Sequence, residues 1–196
     1  MATRFDITFD YLCPFARNAN EAVVEGIIAG EEWDVRFRPF SLAQTKVEPE
    51  EPPVWDRHRD DDGVHGVLAL QWGIAVRDQW PDRFLDFHPA LFAARHERGA
   101  DIGDEGQLAQ VAASVGLDAD LVAREVESTR PRKTLAVEHQ ALVTDAAVFG
   151  VPTFIANGEA VFVRLMDRHQ TEEISRIVAM IGWTGLNEFK RTRLPR

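Results

Sequence analysis

The sequence predicts an α/β protein built in the order β-α-β, helical insertion, β-β-α, and three observations carry that order. A short alternating strand runs directly into a helix start over residues 5–16. Nearly everything over 54–149 has helical character, and a tight Asn157-Gly158 turn between two short apolar runs marks a hairpin soon after Gly150. With 196 residues, 45% of them hydrophobic, the chain is long enough for one compact core, or for one domain carrying an inserted subdomain.

Each element follows from its own pattern. Phe5-Asp6-Ile7-Thr8-Phe9-Asp10 alternates with the period of a half-buried strand. A helix over 14–29 follows, with Ala19, Ala22, Val23 and Ile27 apolar and Gly30 closing it. Trp33, Val35 and Phe37 then share one face of a second strand, with Arg36 and Arg38 on the other. The acidic, proline-rich stretch 46–53 breaks regular structure and reads as the linker into the insertion. Four or five helices fit the insertion, with breaks at Trp80-Pro81, 99–106, Gly116 and Arg130-Pro131. Asp104 caps one helix carrying Leu108, Val111 and Ala112, and Asp118 caps the next, carrying Leu121, Val122 and Val126. A last insert helix over 131–149 opens on Pro131 and delivers the chain to Gly150. Thr153-Phe154-Ile155-Ala156 and Ala160-Val161-Phe162-Val163 flank the hairpin turn, and a final helix over 169–181 carries Ile174, Ile177, Val178 and Ile181 on one stripe. The expected division is 1–45 with 150–196 as one domain and 46–149 as an inserted α-helical subdomain. No internal repeat or low-complexity tract is visible.

Composition excludes several classes of function. The formal charge of −10 disfavours nucleic acid and anionic membrane surfaces, because polyanions are held by basic patches and counterion release. A small-molecule or protein partner is expected. No run approaches the ~20 apolar residues of a membrane helix, and the first residues enter strand alternation with no apolar leader. One cysteine rules out an internal disulfide and fits a reducing, cytoplasmic setting, and the six histidines show no metal spacing, so no metal site is expected. The Asp60-Asp61-Asp62 run reads as solvated loop; Lys190-Arg191-Thr192-Arg193 reads as a solvated tail, with contact to an anionic substrate group as its alternative. The apolar stretch Val67-Leu68-Ala69-Leu70-Gln71-Trp72 fills either the insert's core or the interface of a homodimer.

Cys13 is the sole cysteine, placed where the first strand meets the first helix. A sulfur at a helical first turn faces unpaired N–H groups and the positive end of the helix dipole, which favour thiolate and lower a thiol pKa from about 8.5 toward about 3.5–7.5. Pro14 suits that turn because its missing N–H would be an orphan there. A free cysteine is otherwise a small buried hydrophobe. Tyr11 and Phe15 flank the sulfur and line a substrate pocket or, for Phe15, pack beneath the helix. Ala16 stands where a C-x-x-C motif would have its second sulfur. His139, on the helix leading toward Gly150, is the one histidine singled out as an acid or base candidate.

Three blocks, Tyr11-Leu12-Cys13-Pro14-Phe15, Phe37-Arg38-Pro39-Phe40-Ser41-Leu42 and Gly150-Val151-Pro152-Thr153-Phe154, occur in an order that resembles the DsbA-like thioredoxin superfamily with a helical insertion. The closing Glu188-Phe189-Lys190-Arg191-Thr192-Arg193 is similar to its actinobacterial branch, which includes mycothiol-dependent reductases. The resemblance implies a thioredoxin-like fold, a cis Val151-Pro152 bond facing Cys13, and backbone pairing of Val151 with peptide-like substrates. It departs from the branch in carrying C-x-x-A for C-x-x-C. With one sulfur the feasible cycle is monothiol, and the second sulfur comes from solution. The expected activity is therefore a DsbA-like thiol-dependent oxidoreductase with Cys13 as nucleophile, and Tyr11, Pro14, Phe15, Val151 and Pro152 around a small thiol and a small-molecule or peptide disulfide. No tightly bound cofactor is expected; mycothiol or glutathione serves as co-substrate. Two alternatives stand beside it: an enzyme like the kappa-class glutathione transferases and 2-hydroxychromene-2-carboxylate isomerases, which activate a cofactor's thiol, and a redox-inactive peptide- or ligand-binding module.

Overall fold

The computed structural model describes residues 2–58, 61 and 64–191. Strand β1 (Thr3–Phe9) leads to helix α1 (Pro14–Ala29) and strand β2 (Trp33–Pro39). Five helices follow before the sheet resumes: α2 (Val67–Gln79), α3 (Pro81–His96), α4 (Glu105–Ser114), α5 (Ala119–Glu127) and α6 (Arg130–Ala146). The hairpin β3 (Thr153–Ala156) and β4 (Glu159–Phe162) and helix α7 (Thr171–Ile181) close the chain. The sheet order is β2-β1-β3-β4, with β1 parallel to β2 and antiparallel to β3.

The patterns that predicted these elements also bury them. Phe5, Ile7 and Phe9 of β1 are fully covered, as are Ala16, Ala19, Ala22 and Val23 of α1. Helix α7 packs on α1 and β3, while the inserted helices reach this layer through α3 on α1 and α6 on β2. Val67, Ala69, Leu70 and Trp72 are buried within the chain's own core, which settles that stretch of α2 as core. Asp104 and Asp118 cap α4 and α5 with their carboxylates, as their spacing predicts.

Helix ends differ from the sequence reading where no glycine marks them. Helix α6 stops at Ala146, three residues early, because Ala147 adopts the left-handed conformation and the Val148 N–H bonds back to the Leu142 carbonyl. Helix α7 starts at Thr171 because His169 has a positive φ and its ring bonds Glu25. Pro89 lies inside α3, where it supplies no N–H. Of the acidic run, Asp61 is exposed, and Asp60 and Asp62 lie outside the described residues; of the basic tail, Lys190 and Arg191 are exposed and the rest lies outside.

Candidate active site

Strand β1 ends at Phe9, and the next residue, Asp10, organises the loop that carries the thiol. The Asp10 carbonyl accepts from Cys13 N at 3.0 Å. Its carboxylate accepts from Leu12 N at 2.9 Å and from Leu42 N, just beyond β2, at 2.8 Å. Asp10 has no exposed surface, and burial pushes its pKa up to about 6 against the two backbone hydrogen bonds. The alternating pattern reads Asp10 as a polar strand end, and its position three residues before the cysteine is the only sequence signal of this role.

Cys13 is the N-cap of α1, and its Sγ accepts the Ala16 N–H at 3.4 Å. Its thiol donates to the Val151 carbonyl at 3.5 Å. The side chain is buried, with 9% exposure. The thiol is not lowered, as its helix position alone predicts, but raised above its ordinary value. Burial is the largest cause, with the Asp10 charge acting in the same direction; the Ala16 and Phe15 amides and the Arg164 charge oppose it. Desolvation here outweighs the helix terminus, so the resting sulfur is a neutral thiol.

The loop opposite is pinned by side chains of the sheet. The Val151–Pro152 peptide bond is cis, and both residues are buried. Thr153 N donates to Thr8 Oγ1 at 2.8 Å, Thr153 Oγ1 donates to the Gly150 carbonyl at 2.8 Å, and Val163 N donates to the Pro152 carbonyl at 3.1 Å. Pro14 is exposed at the first turn of α1, and Phe15 is half-buried. Cys13, Phe15, Val151 and Pro152 are thus brought together.

Two candidates sit elsewhere. Tyr11 is fully buried among Phe9, His88 and Phe92, so its side chain does not line a pocket. Its hydroxyl donates to His88 Nδ1 at 2.9 Å, His88 Nε2 donates to Asn20 Oδ1 at 3.1 Å, and Asn20 Nδ2 donates to the Thr8 and Ala16 carbonyls. These partners assign His88 as the neutral Nε2–H tautomer, and burial pushes its pKa down to about 3. A methyl group at Gly73 would lie 2.5 Å from the Tyr11 hydroxyl, so α2 approaches this ring only through glycine. His139 is buried against Phe40, 4.4 Å away and stacked, and its Nδ1 accepts the Ser41 N–H at 3.1 Å. Burial pushes it down to about 4. Its Nδ1 is occupied by the Ser41 amide, and among the described residues His139 makes no hydrogen bond to Cys13.

The insertion reaches the thiol loop at Gly66, the N-cap of α2, which has a positive φ and where a methyl group would lie 2.8 Å from Leu12 Cδ1. A separate recess of about 440 Å³ lies at the start of α6, lined in part by Arg130, Lys133 and Glu138; Arg130 is already paired there with Asp78 and Glu125. Among the described residues, no group of three or more His, Cys, Asp or Glu side chains is placed to hold a metal ion, and no helix is long and apolar enough to cross a membrane.

The DSBA-like thioredoxin domain family matches residues 74–174, just over half of the chain. Cys13 lies N-terminal to that match. Among solved structures, a 2-hydroxychromene-2-carboxylate isomerase is similar with a TM-score of 0.66 at 16% identity, over 92% of this chain and 95% of that one. The thiol-disulfide oxidoreductase MdbA of Actinomyces oris gives 0.62 at 19% identity, over 96% and 83%. The cytosolic disulfide reductase DsbM of Pseudomonas aeruginosa, solved with GSH, gives 0.63 at 15% identity, over 90% and 98%. No curated protein sequence matches the chain. At these identities the structural likeness carries the fold, which is thioredoxin-like.

Proposed function

The chain belongs to the DSBA-like thioredoxin domain family, and from that premise we propose that it is a thiol-dependent enzyme in which Cys13 exchanges sulfur with a low-molecular-weight thiol such as mycothiol or glutathione. The observation that carries this reading is the 3.5 Å contact between the Cys13 thiol and the carbonyl that precedes Pro152. A ligand that pairs with the Val151 backbone meets the sulfur at that point. When a ligand N–H takes over the Val151 carbonyl, the thiol loses the acceptor of its neutral form, and the Ala16 and Phe15 amides then favour thiolate.

The cycle needs no second protein sulfur. Cys13 thiolate attacks one sulfur of a disulfide; the S–S bond breaks, a mixed disulfide forms on Cys13, and the other sulfur leaves as a thiol after taking a proton from solvent. A small thiolate from solution then attacks the substrate-derived sulfur of the mixed disulfide, the bond to Cys13 breaks, the new disulfide leaves, and Cys13 is released as thiolate. Ala16 makes release by an internal cysteine unavailable.

The raised thiol favours a second reading, in which Cys13 stays protonated and its S–H donates to the thiolate of a bound cofactor, as a transferase or isomerase of this fold would require. One experiment separates the two. The reduced protein is incubated with oxidised glutathione or oxidised mycothiol and weighed intact, beside Cys13→Ser. An adduct on the wild type and none on the variant, with loss of thiol-dependent turnover, supports exchange. Turnover retained by Cys13→Ser assigns the chemistry to the cofactor's sulfur, and absence of any adduct sinks the exchange cycle.

A further inference from the structure

Strand β4 ends beside the thiol in an arrangement that thiol exchange alone does not use. Phe162 lies opposite Thr153 in the hairpin register, and Val163 N bonds the Pro152 carbonyl, so Arg164 leaves the sheet next to the Val151-Pro152 loop. Its guanidinium carbon lies 5.5 Å from the Phe15 ring centroid and 5.4 Å from that of Phe162. Phe162 in turn contacts Phe149, which is 71% exposed just before Gly150. The cation is therefore held over an aromatic ring from each side of the site, one from the first turn of α1 and one from β4.

What Arg164 lacks points to its use. Among the described residues it has no hydrogen-bond or ion-pair partner. By contrast Arg168, four residues on, is paired with Glu21 and Glu97. The side chain is exposed, yet its charge acts on the Cys13 sulfur. Contact with ring faces satisfies a guanidinium's π surface and leaves its N–H edge open, and that edge matches a carboxylate in two parallel hydrogen bonds. A solvent-facing arginine that served only solubility would have no reason to be stacked on two rings at the mouth of a thiol site.

We propose that Arg164 is the specificity residue of this site, binding the carboxylate of an anionic compound whose reactive atom is presented to Cys13. The proposal rests on Cys13 being the reacting sulfur. Phe15 and Phe162 fix the guanidinium, and the Phe149–Phe162 pair offers the ligand an apolar flank.

Two alkylating reagents that differ by one carboxylate test this without calling on any redox cycle. Iodoacetate and iodoacetamide both form a thioether on Cys13 with loss of iodide, so any change in thiolate fraction cancels in the ratio of their rates. The ratio is measured by intact mass at constant ionic strength for the wild type, Arg164→Gln and Arg164→Lys, with free cysteine as the reference. The expected result is a wild-type ratio about 5–10-fold above that of free cysteine, collapse to the free-cysteine ratio in Arg164→Gln, and partial retention in Arg164→Lys, which keeps the charge but not the planar fork. An unchanged ratio in Arg164→Gln overturns the proposal, as does failure of Cys13 to react with either reagent. A ratio that behaves as expected, in a protein that forms no adduct with disulfides, would sink the exchange cycle and leave Arg164 in its role.

Discussion

Asp10 has no exposed surface, and with its pKa pushed up to about 6 it is mostly ionised at neutral pH. It is held by the amides of Leu12 and Leu42, which tie the loop after β1 to the loop after β2. The same carboxylate raises the Cys13 thiol, so the sulfur's reactivity is set partly by a residue that has no contact with solvent. Replacing it by asparagine keeps the shape and removes the charge. Asp10→Asn is expected to lower the Cys13 pKa and speed iodoacetamide labelling at pH 7.5 by about 2–5-fold, since one pKa unit is a factor of ten in thiolate at fixed pH. The amide presents an N–H₂ where one backbone N–H now finds an oxygen, so a stability loss of about 1–3 kcal/mol in urea denaturation accompanies the change. Labelling that is unchanged or slower would show that Asp10 does not govern the thiol.

At the scale of elements, α1 is held to its neighbours by charges that are almost out of water. Arg17 and Glu21 pair along the helix at 2.8 Å with side-chain exposures of 7% and 4%; Glu97 after α3 also pairs with Arg17, and Arg168 after β4 bonds Glu21 at 2.6 Å. Removing Glu21 leaves the nearly buried Arg17 guanidinium with Glu97 as its one remaining carboxylate, and that side chain is half exposed. Glu21→Ala is expected to cost about 1–3 kcal/mol in chemical denaturation, while the double change Arg17→Met, Glu21→Leu recovers most of that loss. A single variant within about 0.5 kcal/mol of wild type would mean that water already solvates Arg17. Apart from the i,i+4 spacing of Arg17 and Glu21, this network could not be read from sequence, because its other pairs join distant segments, Arg168 and Glu21 being 147 residues apart. What was legible had a local cause. The bounds of α1 follow from Pro14 and Gly30, the hairpin from Asn157-Gly158, and α4 and α5 from their aspartate caps. Helix ends at Ala147 and His169 were misread because residues other than glycine took the left-handed position. The candidate site divides in the same way. Cys13 and the Val151-Pro152 loop came from motif and order, whereas the raised thiol, the buried Asp10 and the stacking of Arg164 depend on burial and contacts across the fold that no local pattern encodes.

At the scale of the whole molecule, three buried groups act on acid stability in opposite directions. His88 and His139 are neutral in the fold, with pKa values near 3 and 4 against an ordinary value of 6.5, so the unfolded chain binds more protons than the native one as pH falls below 6.5. Their contribution to stability is present above that pH and is lost on acidification. Asp10 does the reverse. Its native pKa of about 6 lies above its ordinary 3.8, so the native state takes up a proton first and gains stability as pH drops through 6. Between pH 7 and pH 5 each histidine removes about 2 kcal/mol and Asp10 restores about 1–2 kcal/mol, for a net loss of about 2–3 kcal/mol. Urea midpoints at the two pH values and constant ionic strength measure this directly, and a midpoint that holds or rises at pH 5 would contradict it. His139→Gln separates the terms: removing one of the two opposing histidines should erase most of the net acid loss, because His88 and Asp10 then nearly balance. If His139→Gln loses as much stability on acidification as the wild type, the stacked, amide-bound ring against Phe40 is not what excludes the proton.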